Sequence, residues 1–334
     1  MIGMNDRGVF KPCVHRECNT NTAIVYCFVL AVGFVTSLYL FVPSRVRKLP
    51  RDHPTHIQFR SLACLIVCAV GILSYPYIFC DDNRDNQQDN RALFSVGKTM
   101  IFPSLRYGLL RGMFGVLVHT CVLYTGSSFA ALLYFFEIRK QSIRQGKNQT
   151  GFEIIRCFLS EKILPDNTRI AFWIAVRNYC IAPLTEEIVF RGCMVPPLVA
   201  TGMSAGKVSL VAPLFFGFAH LHHAVKRISN GDRPRSVMLA TTFQFLYTSL
   251  FGSYASYAFV RSGSILPVIL SHSYCNWMGL PNIDFVGNSY HPFHQYRIAI
   301  LFSYFIGIVT FWYIFHIDLF LPLPSELPRI LNLN

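Results

Sequence analysis

The sequence predicts an all-α protein: a polytopic transmembrane helical bundle of about eight membrane segments enclosing an intramembrane cavity. Three observations lead there. Only 14% of the 334 residues are charged and 52% are hydrophobic, whereas an ordinary soluble domain has roughly a quarter of its residues charged. Six windows contain no Asp, Glu, Lys or Arg: residues 19–44, 61–80, 112–136, 236–260, 262–283 and 298–317. Each reaches the roughly 20 mostly apolar residues that a spanning helix needs. A soluble core could hide one such helix, but hardly six. Third, basic residues collect in short stretches between the windows, as they do in the cytosolic loops of membrane proteins.

Taken in chain order, residues 19–44 read as the first span, with a signal-anchor role open to it. The twenty residues before it lack the apolar core of a cleavable signal. Windows 61–80 and 112–136 read as the next two spans. Residues 170–200 are apolar apart from Arg177 and a charged cluster, and 208–225 are charge-free but hold His220, His222 and His223. Windows 236–260, 262–283 and 298–317 complete the set. The connections are short and no internal repeat is visible, so residues 1–334 read as a single integral membrane domain. Basic loops at Arg45, Arg47, Lys48 and Arg51, at Arg139, Lys140, Arg144 and Lys147, and at Lys226, Arg227, Arg233 and Arg235 are expected in the cytosol. The Asp-rich segment 81–89 is expected on the other side, which starts the N-terminus outside the cytosol.

The net charge of +13 therefore reflects membrane orientation, and no nucleic acid is expected as a partner. The 11 cysteines lie mostly in apolar windows, behave as small hydrophobes and form no disulfide framework. Cys13, His15 and Cys18 lack a clear fourth ligand for a metal, and the Asn148-Gln149-Thr150 acceptor sits in a basic loop placed in the cytosol, so both are discounted.

Three polar clusters at membrane depth need a reason, because ionisable residues there cost about 2.5–3.5 kcal/mol each on insertion scales. The stretch 177–194 reads RNYCIAPLTEEIVFRGCM. Glu187 and Arg191 are four apart, share a helical face and can neutralise each other. Glu186 lies about 100° around the helix and is left over. It is a candidate general base, the alternative being a second carboxylate gripped by Arg191 or by another helix. The second cluster spans 215–225, where Phe216 and His220 share a face; His222 and His223 lie near the basic turn and read as interfacial. In the third cluster, at 270–279, His272 and Asn276 are four apart and can present donors to one spot, the alternative being interhelical glue. Together the clusters supply a base, a group to hold water and donors for an oxyanion, which suffices for hydrolysis. No activated Ser or Cys nucleophile and no His-Glu-x-x-His zinc signature is visible.

Glu-Glu-x-x-x-Arg at Glu186, Glu187 and Arg191, Phe-x-x-x-His at Phe216 and His220, and His-x-x-x-Asn at His272 and Asn276 resemble, in order and spacing, the three motifs of the CAAX-protease and bacteriocin-processing superfamily. The stretch RNYCIAPLTEEIVFRG is similar to its eukaryotic branch, the Ras-converting CAAX endopeptidases. The motif region covers about residues 177–279, close to a third of the chain. The resemblance implies a glutamate-dependent intramembrane endopeptidase of the endoplasmic reticulum membrane. Its active site would open toward the cytosol and would remove the last three residues of prenylated CAAX proteins. Glu186 would activate water, assisted by His220; His272 and Asn276 would form the oxyanion hole; Glu187, Arg191 and Phe216 would support the site. The implied partners are farnesylated or geranylgeranylated CAAX proteins such as Ras-like GTPases, together with membrane lipid, and no cofactor or metal is expected.

Two other readings remain open on the residues alone. A zinc-dependent intramembrane protease would use Glu186, His220 and His272 as a His₂Glu ligand set. A proton-coupled transporter would use the same groups as relays; it predicts Gly/Pro-broken helices in two similar halves, a symmetry that the sequence does not display.

Overall fold

In the computed structural model, residues 19–79, 108–146, 150–153, 169–219, 221–229, 231–262, 264–281 and 283–317 are described. The expectations for Cys13, His15 and Cys18, for segment 81–89, for Asn148 and Gln149, for His220, and for the side chains of His222 and His223 lie outside them. Every described element is helical; besides the short turns Ser44–Arg47, Asp284–Gly287 and His294–Tyr296 these are α1 (Thr20–Leu40), α2 (Pro54–Phe79), α3 (Gly108–Leu123), α4 (Thr125–Arg144), a helical run α5 over residues 169–200, α6 (Ala205–Ala219), α7 (His222–Ser229), α8 (Pro234–Ser262), α9 (Leu266–Met278) and α10 (Arg297–His316).

Each apolar segment predicted from the sequence contains helix among its described residues, and the architecture is an all-α polytopic membrane bundle. Three helices, α1, α2 and residues 294–316, are individually long and apolar enough to cross a membrane. The window 112–136 is not one straight span. It divides at Tyr124 into α3 and α4, which meet at 67°. Close approach of α10 accompanies the bend: Ser127 Oγ lies 3.2 Å from Tyr304 Oη, and a Cβ at Gly307 would stand 2.9 Å from the Val122 carbonyl. The window 262–283 likewise holds less than one full span: its own helix is Leu266–Met278. Pro267 at its first turn and Gly279, at φ 70°, bound that helix.

The core is built around α5, in which every residue from Glu187 to Val199 is buried. α1 and α2 pack on one side of it through weak thiol donors: Cys27 Sγ reaches the Met194 carbonyl at 3.7 Å and Cys68 Sγ the Thr185 carbonyl at 3.5 Å. Tyr26 Oη donates to the Gly71 carbonyl at 2.9 Å and ties α1 to α2. On the other side, Thr120 of α3 and Ser271 of α9 share a 2.7 Å hydroxyl pair. Outer helices turn large apolar side chains outward, among them Leu239, Leu250, Ile298 and Trp312, each more than 60% exposed. Such continuous apolar surface fits contact with lipid.

Candidate functional site

The stretch 177–194 is helical but not uniformly α. Two π-helical turns, Arg177–Ile181 and Ile188–Cys193, flank the short α-helical segment Ala182–Glu187. Pro183 accounts for the first. It has no N–H, and the Ala182 N–H reaches back five residues to the Arg177 carbonyl. The Asn178 carbonyl thereby loses both intrahelical donors, Ala182 to Arg177 and Pro183 for want of a hydrogen. Asn276 of α9 takes it instead, its Nδ2 donating at 2.9 Å. A proline in α5 thus sets where the Asn276 amide is held.

Within α5, Arg191 Nη1 donates to Glu187 Oε1 at 3.0 Å, with side chains 1% and 0% exposed. The same oxygen accepts from His272 Nδ1 of α9 at 2.6 Å. This carboxylate–imidazole bond orients the ring and leaves Nε2 facing Glu186, whose Oε2 lies 3.8 Å away. Glu186 follows the other face of α5, is 20% exposed and lines an open cleft. Two adjacent glutamates therefore occupy different environments. Glu187 is enclosed with Arg191 and His272, while Glu186 meets the cleft.

Aromatic rings complete the enclosure. The Arg191 guanidinium lies 4.7 Å from the Phe216 ring centroid and 5.8 Å from that of Phe251, and Phe251 lies 4.9 Å from the His272 ring. Cation–π attraction supports a guanidinium whose Nη2 has no hydrogen-bond partner among the described residues. Gly252 brings α8 close enough for this packing, since a Cβ there would stand 2.8 Å from Pro213 Cβ and 3.1 Å from Arg191 Nη2. Gly252→Ala is accordingly expected to destabilise the protein by about 1–3 kcal/mol through overpacking. A lowered melting temperature in detergent checks this; an unchanged one shows that α8 can yield.

The structure brings together Glu186, Glu187, Arg191, Phe216 and His272. Asn276 sits one helical turn from His272 on an exposed position, with one amide hydrogen engaged on Asn178. His220 is outside the described residues, although Ala219 before it lines the cleft. Among the described residues no three His, Cys, Asp or Glu side chains are grouped to hold a metal. Sequence reasoning missed Phe251, one of many aromatics in a charge-free window, and the Asn178 carbonyl. The second was traceable in principle, because a proline five residues on removes a backbone donor.

A family model described as type II CAAX prenyl endopeptidase Rce1-like matches residues 168–278, a span that holds all seven motif positions. CAAX prenyl protease 2 of Homo sapiens is 30% identical over 292 residues, covering 86% of this chain and 78% of that protein. CAAX prenyl protease 2 of Arabidopsis thaliana is 28% identical over 271 residues, covering 80% and 82%. A probable CAAX prenyl protease 2 of Schizosaccharomyces pombe is 37% identical over 163 residues, covering 48% and 58%. No solved structure matches.

Proposed function

Because the chain belongs to the CAAX prenyl protease 2 family of membrane peptidases, we propose that it is an intramembrane glutamate-dependent endopeptidase that removes the C-terminal tripeptide from farnesylated or geranylgeranylated CAAX proteins, Ras-like GTPases among them. The observation that carries the reading is the division of labour between the two glutamates. Glu187 is committed to Arg191 and His272, whereas Glu186 is the only acidic side chain among the described residues lining the cleft.

In this reading Glu186, with His220, takes a proton from a water in the cleft. The water oxygen adds to the carbonyl carbon of the prenylated cysteine. The C–N bond to the next residue breaks, and the proton passes to the departing amine, so that a prenylcysteine carboxylate and a free tripeptide result. His272 Nε2 and the second Asn276 N–H serve the developing oxyanion. With Nδ1 held on Glu187, Nε2 donates only from a ring that carries both hydrogens, and the Glu187 carboxylate beside it supplies the countercharge.

The cleft suits such a substrate. Phe34, Leu38, Ile57 and Phe190 form an apolar wall for a prenyl chain, which already gains about 0.8 kcal/mol per buried CH₂ in lipid. The site belongs in the endoplasmic reticulum membrane with the cleft open to the cytosol, where CAAX tails are.

Purified protein incubated with a farnesylated CAAX peptide is expected to release the tripeptide, equally with and without chelator. No release sinks the proposal, and activity lost to chelator and restored by zinc replaces it with the metalloprotease. Asn276→Ala is expected to lower kcat by about 10²–10³ with a much smaller change in KM, as for loss of an oxyanion donor. A change confined to KM would remove Asn276 from that role.

A further inference from the structure

The lining of the cleft is rich in arginine. Arg51, Arg60 and Arg177 all line it. Arg51 and Arg177 are near enough for their charges to act on Arg60. One carboxylate answers the three: Asp52 accepts from Arg177 Nη1 at 2.7 Å and is itself 57% exposed. Among the described residues no acidic side chain pairs with Arg51 or Arg60. Like charges gathered with fewer carboxylates than guanidiniums repel one another and favour an anion between them. Glu186 lines the same cleft, and Cys64, one turn beyond Arg60 on α2, is near enough for the charges of both Glu186 and Arg60 to act on it.

We infer that Arg60 and Arg177, supported by Arg51, form a carboxylate-binding subsite that holds the free C-terminal carboxylate of the substrate and so measures the cut from the chain end. This deepens the endopeptidase reading and rests on it. The spacing fits. A tripeptide spans at most about 10–11 Å when extended. Arg60 lies four residues, about 6 Å of helix rise, from Cys64, which borders Glu186. Arg177 lies nine residues before Glu186 along α5, so both helices carry an arginine within a short tail's reach of the base. Guanidinium forks match a carboxylate geometrically, whereas a tail amide offers no charge to bind.

The experiment compares one farnesylated CAAX peptide as its free acid and as its C-terminal amide, with the full-length protein in neutral-lipid vesicles. The wild type is expected to prefer the acid by about 10- to 100-fold in kcat/KM, mainly through KM. Arg60→Gln and Arg177→Gln are each expected to shrink that ratio toward one, and Arg60→Lys to retain part of it. Equal cleavage of acid and amide by the wild type overturns the subsite while leaving the endopeptidase reading intact, as does an unchanged ratio in both Gln variants. Rate enhancement by added anionic lipid without an acid preference shows that the arginines hold headgroup phosphates instead, and also overturns it. Cleavage of neither peptide by the wild type overturns the endopeptidase reading, and this inference with it.

Discussion

Glu186→Ala is expected to remove peptide cleavage, by at least about 10²–10⁴-fold, while the protein remains inserted and folded. The two halves of that expectation have separate causes. The loss follows from the position of Glu186 on the cleft, opposite His272 Nε2 and without an arginine partner among the described residues. The tolerance follows from its partial exposure: among the described residues its carboxylate makes no hydrogen bond that holds α5 to a neighbour, so truncation strands no buried hydrogen-bond partner there. Turnover of a farnesylated peptide and a melting curve in detergent, measured on the same preparation, test both halves. Near-normal turnover by a well-folded variant would remove Glu186 from the chemistry. Collapse of the fold would instead make it a structural residue.

Glu187→Ala and Arg191→Ala are expected to behave in the opposite sense, lowering the amount of folded protein as well as activity. Their side chains are fully enclosed and joined at 3.0 Å, and removing one partner of a buried pair costs about 3–5 kcal/mol by stranding the other. Without Glu187, Arg191 loses its hydrogen-bonded carboxylate and keeps the faces of Phe216 and Phe251 and the more distant Glu186 charge, and His272 loses the acceptor that orients it. Without Arg191, Glu187 keeps His272 but no permanent cation. Arg191→Lys is expected to recover only part of the loss, because an ammonium lacks the flat face that lies against Phe216. Expression level and thermal stability are the measurements, and a stable, fully active Arg191→Ala protein would show that the pair is dispensable.

Part of this site is legible in one dimension. Glu187 and Arg191 are four residues apart, so a single helix suffices to place one over the other, even with a π-turn between them. The same holds for the apolar windows: a run of about twenty uncharged residues announces helix in a membrane whatever surrounds it. The separate fates of Glu186 and Glu187 are also implied, because neighbouring residues on a helix point in directions about 100° apart.

Other features depend on which helices meet. Nothing in the spacing of His272 and Asn276 distinguishes two donors on one oxygen from the observed pair of partners, Glu187 Oε1 for one and the Asn178 carbonyl for the other. Those partners lie 85 and 98 residues away in the chain. The break at Tyr124, the shortness of α9, the arginines gathered at the cleft and the contact of Phe251 with His272 share that character. Periodicity within a helix follows from bond geometry that every chain shares, so it can be read directly from residue order. Contacts between helices depend on how whole surfaces interlock, with Gly252 admitting α8 beside Arg191 and Pro183 freeing a carbonyl for α9, and that is decided only when distant segments pack together.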